Sequence, residues 1–244
     1  MRFYYDLHIH SVLSPCGDDD MTPNNIVNMS VLNELDIIAL SDHNTCGNVA
    51  AVSQLAEKAG LVFLPAVEVE TMEEIHVLCL FPSVDSALEF ENKVIRPALP
   101  DIENDERIFG EQIIMDINDE AVATDKRYLI NATTIDIDNI GKLVDEFGGV
   151  AVPAHIDKST KSLISMLGMA DRSMGFNTFE LSKNAPEDYA RNEFSLKDEN
   201  YFYIHNSDAH YLADIFERGE HNYFELDAVP TPCQIIKILK EGHF

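Results

Sequence analysis

Two kinds of apolar pattern alternate along the chain. Short apolar or alternating blocks, "FYYDLHI", "IIALSDHN", "LVFLPAVEVE", "IHVLCLF", "VAVPAH", "GFNTFEL" and "YFYIHNSDAH", predict strands. Longer stretches with apolar residues three or four apart, "TPNNIVNMSVLNELD", "NVAAVSQLAEKAG", "DIDNIGKLVDEFGG", "KSLISMLGM" and "TPCQIIKILKEG", predict helices. Thr22 followed by Pro23 is a helix start, because a hydroxyl can cap the first turn and proline needs no N–H partner there. Gly60 is a helix stop. The alternation predicts a layered or closed α/β fold.

The strand-like blocks share an ending. Each of several runs from apolar residues into His, Asp or Glu: His8 and His10, Asp42 and His43, Glu68, His155, then Asp208 and His210. In α/β barrels the site is built at that end from several strands. Donors spread over at least five strands fit a closed barrel better than an open sheet, where they would lie in a line. Glu68 and His76 are separated by seven residues, too few for a crossover helix. If both reach one site, "IHVLCLF" must run antiparallel to "LVFLPAV", so the expected barrel is irregular. Residues 84–135 carry a helix, a proline break and an acidic stretch, and are expected to form an insertion or lid on a single domain spanning 1–244.

Taken singly, each donor has an ordinary explanation. An H-x-H pair occurs by chance, Asp42 and Asn44 could cap the next helix, Glu68 could face solvent, and His155 could be a satisfied core histidine. Together at strand ends they have a chemical logic. Alternate strand residues face the same way, so His8 and His10 can reach one ion. Mixed imidazole and carboxylate donors suit zinc, manganese or iron. Their number exceeds what one tetrahedral ion needs and suits two or three divalent ions sharing carboxylates. Such clusters activate water and stabilise an oxyanion leaving from phosphorus. Asp42 and Asn44 are candidates for orienting His43 and its neighbours. Lys158 and Lys183, just past two strand ends, are candidate phosphate contacts, with solvent exposure as their ordinary alternative. His205 is read as core, and His221 and His243 have no supporting context.

The bulk composition narrows the partners. The 244 residues include 43 acidic and 17 basic side chains, a formal charge of −26. That surface argues against long nucleic acid and leaves room for a small phosphorylated substrate, since bound cations reverse the local sign. Cys16, Cys46, Cys79 and Cys233 form no C-x-x-C pair, and no targeting segment or membrane span is legible. A cytoplasmic protein with reduced thiols is expected, its oligomeric state open.

With those residues in hand, the chain resembles the PHP (polymerase and histidinol phosphatase) family of metal-dependent phosphoesterases. "DLHIHS" resembles the first motif and "ALSDHN" the second. Glu68 of "PAVEVE" with His76 of "IHVLCL" matches the third, "PAH" the fourth, and "NSDAH" the closing Asp-x-His. The motifs run in family order from residue 6 to 210. The resemblance implies a distorted (β/α)7, TIM-like barrel with a trinuclear metal site. One metal would take His8, His10, Glu68 and Asp208, a second Glu68, His76 and His155, and a third His43, His210 and one carboxylate from the loop after the first motif. That last ligand is where the chain departs: the family's aspartate position falls on Pro15. Counting back from "MTP" favours Asp18, while Cys16 is a rival as a soft donor. The implied activity is hydrolysis of a phosphate ester of a small molecule or nucleotide by a metal-activated hydroxide. The alternatives are a phosphodiesterase or exonuclease on short oligonucleotides, an inactive metal-binding module, and a C–N hydrolase of amidohydrolase type.

Overall fold

A computed structural model describes residues 1–196, 201–219 and 221–243. The chain runs β1 (Arg2–Asp6), α1 (Pro23–Leu32), β2 (Ile37–Leu40), α2 (Val49–Ala59), β3 (Val62–Glu70) and β4 (His76–Leu80). α3 (Val84–Phe90) continues through a π-helical turn, Glu91–Ile95, into α4 (Arg96–Ala98). α5 (Glu106–Phe109) and a hairpin of β5 (Ile113–Met115) and β6 (Ala121–Thr124) follow. The remainder is α6 (Ile137–Asp145), β7 (Val150–Pro153), α7 (Leu163–Leu167), β8 (Thr178–Ser182), α8 (Tyr189–Asn192), β9 (Phe202–Asn206), β10 (Tyr223–Glu225) and α9 (Pro232–Glu241).

The helix ends follow local chemistry. The Thr22 hydroxyl accepts from Asn25 N–H at the start of α1, with Pro23 in the first turn. Gly60 closes α2 in the left-handed conformation. Thr231 and Gln234 form a reciprocal capping box on α9.

Six strands make one curled sheet in the order β10-β1-β2-β3-β4-β7, and β8 pairs in parallel with β9. β1, β2 and β3 are parallel, and β4 runs antiparallel to both β3 and β7. The reversal at β4 matches the short Glu68–His76 spacing. At the ends of the strands the two sheets meet. Ile156 N–H donates to Glu180 O at 2.9 Å, joining the end of β7 to β8. Ile9 bridges Ala209 in parallel, with His10 N–H donating to Ala209 O at 2.9 Å, joining the segment after β9 to that after β1. A ladder along the whole length of these two seams is not formed.

The pleat sorts side chains into two cores. Phe3, Tyr5, Ile37, Ala39, Leu64, Ala66, Leu78, Leu80, Val150 and Val152 cluster on the concave side of the sheet with α9. Ile38, Leu40, Val67, Val69, Val77 and Cys79 face the outer helices with Val52, Phe90 and Ile140. On β3 the concave row Leu64, Ala66 continues into Glu68 and Glu70, and on β4 Leu80, Leu78 continues into His76. Glu70 and His76 are register partners. The site is therefore the polar end of the same concave row.

Residues 84–135 buttress one shoulder of this end. Glu91, 2% exposed, accepts from Cys46 N–H at 2.9 Å, from the Thr45 hydroxyl at 3.3 Å and from Arg127 at 2.9 Å. The hairpin is tied to Asn48 and, through Asp119, to Thr22 and Asn24. The loop after β2, which carries His43, is thus held from outside. No residue of 84–135 lines the pocket over the donor cluster.

Candidate metal centre

Eight of the nine expected ligands meet at the polar end of the sheet. Three groups have donor atoms within 4.8 Å of one another: His8, His10, Glu68 and Asp208; His43, Glu68 and His76; and His10, His43 and His210. His155 joins through Nε2, 3.2 Å from Glu68 Oε1. Glu68 is the hub, with Oε1 2.9 Å from His76 Nδ1 and 3.3 Å from His8 Nε2, and Oε2 3.0 Å from His43 Nδ1. Asp18 is in none of these three groups. Its Oδ1 accepts from Asp20 N–H at 3.0 Å, in a turn that leads into the α1 cap. Cys16 is also outside the three groups, but its thiol interacts with the imidazoles of His43 and His210.

The supports of the histidines define their tautomers. Glu180, fully buried on β8, accepts from His8 Nδ1 at 2.9 Å. Ser14 donates its single hydroxyl proton to Asp42 at 2.7 Å, so it must accept from His10 Nδ1 at 3.0 Å. His210 Nδ1 donates to the Asp208 carbonyl at 2.8 Å. Each of these rings carries a proton on Nδ1 and turns Nε2 inward. Such outer hydrogen bonds orient metal-binding imidazoles and raise their basicity. Asp42 acts through Ser11 and Ser14, not on His43 directly. Asn44 sits at positive φ (53°), donates to Leu129 O and Asn131 O, and accepts from Glu70 N–H.

The backbone is strained where it presents donors. His155 (φ 32°) and Asp208 (φ 52°) occupy left-handed conformations that cost about 1–3 kcal/mol each. Glu180 Oε1 accepts the His155 N–H at 3.0 Å, so one carboxylate steadies ligands on two strands. Glu180 was not among the residues singled out from sequence, nor was Ser14. Glu180 lies in the "FEL" block at a position continuous with the concave row, and that parity was the available signal.

The electrostatics fit cations at the centre. Burial opposes the charge on Glu68, but His76, His8 and His43 hold its carboxyl well below the usual range. Burial also opposes protonation of His8, and Glu180, Glu68 and Asp208 outweigh it, raising the imidazole well above its ordinary value. His10 moves the other way, lowered by burial and by His210 and His43. Burial would raise the Cys16 thiol; His210 and His43 pull it down to about 6. Glu68 Oε2 and His155 Nδ1 are buried with no properly oriented hydrogen bond. Orphaned lone pairs among converging imidazoles and carboxylates are the donor set that divalent zinc, manganese or iron takes.

A cavity of about 200 Å³ opens onto the cluster, walled also by Lys158, Thr160 and Lys161. Lys158 pairs with Asp208, and Lys161 bonds Glu70 at 2.5 Å and Glu74 at 2.9 Å. Lys183 instead pairs with Asp214 and does not line the cavity. The His205 and His221 rings lie tilted at 40° with centroids 5.5 Å apart, and His243 hydrogen-bonds the Glu241 carbonyl. A larger cavity, about 370 Å³, lies near the starts of β7 and β8, at the opposite end of the strands. It has no converging imidazoles, so the chemistry belongs to the smaller one.

No family model matches the chain, and no curated protein matches it. Solved structures do. The lesion-specific endonuclease Q of Pyrococcus furiosus is 22% identical with a TM-score of 0.65, over 99% of this chain and 56% of that one. An endonuclease Q complex with a 27-mer duplex, an abasic lesion at its active site, is 23% identical over 86% of this chain and 49% of that one, TM-score 0.57. This chain spans about half the length of those proteins. A protein of Bifidobacterium adolescentis assigned to the metal-dependent phosphoesterases is 18% identical over 89% of this chain and 91% of that one, TM-score 0.60. An amidohydrolase from Chromobacterium violaceum is 18% identical over 95% of both chains, TM-score 0.63. The chain has the mixed α/β fold, with a curled sheet, that these hydrolases share.

Proposed function

We propose that this chain is a metal-dependent phosphoesterase of the PHP family, acting on a phosphate ester of a small molecule or nucleotide. One observation carries the reading. Eight His, Glu and Asp side chains converge, and His8, His10 and His210 have their outer nitrogens tied by Glu180, Ser14 and the Asp208 carbonyl. A structural site needs four ligands, and this set is built for two or three divalent ions, zinc, manganese or iron. His8, His10, His43, Glu68, His76, His155, Asp208 and His210 would hold them. Bound ions supply Lewis acidity, which acidifies water and neutralises charge on phosphoryl oxygens. The protein's own part is to orient the imidazoles, to exclude bulk water through a small cavity, and to present Lys158 at its wall for a phosphoryl oxygen. Hydrolysis forms one P–O bond from water and breaks the ester P–O bond.

The same reading includes one domain with an insertion at 84–135. It also includes closure of β1, β2, β3, β4, β7, β8 and β9 into a distorted (β/α)7 barrel, supported by the Ile156–Glu180 and Ile9–Ala209 seams.

The second reading is a phosphodiesterase acting on nucleic acid, favoured by the likeness to endonuclease Q. A cavity of about 200 Å³ and a charge of −26 favour a small substrate. Metal-reconstituted protein should release phosphate from an aryl phosphate, lose this with a chelator and regain it on adding metal. Cleavage of an abasic duplex or an aryl phosphodiester without monoester turnover would shift the assignment to the second reading. Retained metal with none of these cleaved would make the chain an inactive metal-binding module.

A further inference from the structure

The three donor groups are not alike. Two contain carboxylates, whereas His10, His43 and His210 form a group of imidazoles alone. A divalent ion held by three neutral rings gains most from an anionic fourth donor. The loop that could supply it is fixed in position. Ser14 O accepts from Gly17 N–H at 2.9 Å, making a turn with Pro15 and Cys16 at its centre. Gly17 lies so close to Ser11 that a Cβ would come within 2.2 Å of the Ser11 carbonyl oxygen, so the turn is seated where only glycine fits.

Both shoulders of this turn are tied to the imidazole group itself. Ser14 Oγ accepts from His10 Nδ1 at 3.0 Å and from His43 N–H at 3.2 Å. Asp18 N–H donates to His210 O at 3.0 Å. The residue between them, Cys16, is a free thiol held by this turn beside the imidazole group, and its side chain interacts with two of the three rings, His43 and His210. The Asp18 carboxylate is turned to Asp20 N–H. Glu68 Oε2, 1% exposed and lacking an oriented hydrogen bond, points in from the other side, 3.0 Å from His43 Nδ1 and 3.4 Å from His10 Nε2.

We infer that Cys16 supplies a thiolate ligand to the site of His10, His43 and His210, making it a sulfur-containing cation site. Thiolate donors select zinc or a similarly soft ion over magnesium or manganese. The inference rests on the proposed metal-dependent reading and adds a mixed composition: one soft site beside oxygen- and nitrogen-ligated ones.

The test is cobalt(II) loading of metal-stripped protein. The wild type should show a near-ultraviolet sulfur-to-cobalt charge-transfer band. Cys16→Ser should lose the band and one bound ion by elemental analysis, Cys16→Asp should keep the ion without the band, and Cys233→Ser should keep both. In unmutated protein, bound metal should slow alkylation of Cys16 roughly tenfold or more, because a coordinated sulfur is a poor nucleophile. Cobalt bound with no band, or a band unchanged in Cys16→Ser, overturns the thiolate ligand and leaves the phosphoesterase reading standing. Wild type that binds no metal overturns both.

Discussion

Glu180 supports candidate ligands on two strand ends at once. It fixes the His8 tautomer, accepts the strained His155 N–H and accepts from Asn206 Nδ2 at 2.7 Å. Glu180→Gln keeps the shape and removes the charge opposite His8. Outer partners of metal-binding histidines are worth about 10–100-fold in affinity or activity. Cobalt or zinc titration of the variant should show a loss in that range with an unchanged circular dichroism spectrum; unchanged affinity would reduce Glu180 to a packing residue. The imidazole shifts give a second expectation. Against burial, Glu180, Glu68 and Asp208 raise His8, and Glu68 and Cys16 raise His43, well above the ordinary imidazole range in metal-free protein. A metal needs their lone pairs, so binding must expel protons and must weaken as pH falls. Calorimetry in two buffers of different ionisation enthalpy should give different apparent heats, and identical heats would contradict this assignment of protons.

Among the elements, the buttress at 84–135 is the least orthodox. The π-helical turn places Glu91 inward, where Arg127 and Arg96 neutralise it and Cys46 N–H and Thr45 bond it. Removing one partner of a buried ion pair leaves the other uncompensated, so Glu91→Ala should cost about 3 kcal/mol in urea unfolding, with Arg127 partly hydrated. A loss under about 1 kcal/mol would mean water already shares the network. None of this was legible in the sequence, because a π-turn has no pattern of its own and the β5–β6 hairpin is too short and exposed to alternate clearly. The strands of the curled sheet were legible because their buried rows are nearly continuous, and the antiparallel turn at β4 followed from the Glu68–His76 spacing once both were taken to reach one site. β10 escaped notice as a three-residue edge strand. Eight candidate donors could be read from strand ends, where the apolar row gives way to histidines and carboxylates. The choice between Asp18 and Cys16 could not, because the loop after β1 has no period, and only its turn sets Cys16 beside His43 and His210 and Asp18 Oδ1 against Asp20 N–H.

Over the whole molecule, the excess of negative charge and the imidazole and carboxylate cluster at one end of the sheet belong together. Forty-three acids give a long-range field that repels polyanions, while the ions at one end would create a local positive spot for a small phosphate. No helix among the described residues is long and apolar enough to cross a membrane. The likeness to known hydrolases is one of fold, so the central claim stands on the cluster and is tested there. The most direct measurement is phosphate release from an aryl phosphate by metal-reconstituted protein, wild type beside a His8→Ala/His10→Ala variant. The account predicts turnover by the wild type and none by the variant, with both folded by circular dichroism. A metal-loaded wild type that hydrolyses no phosphate ester, or a variant that turns over at the wild-type rate, would contradict it.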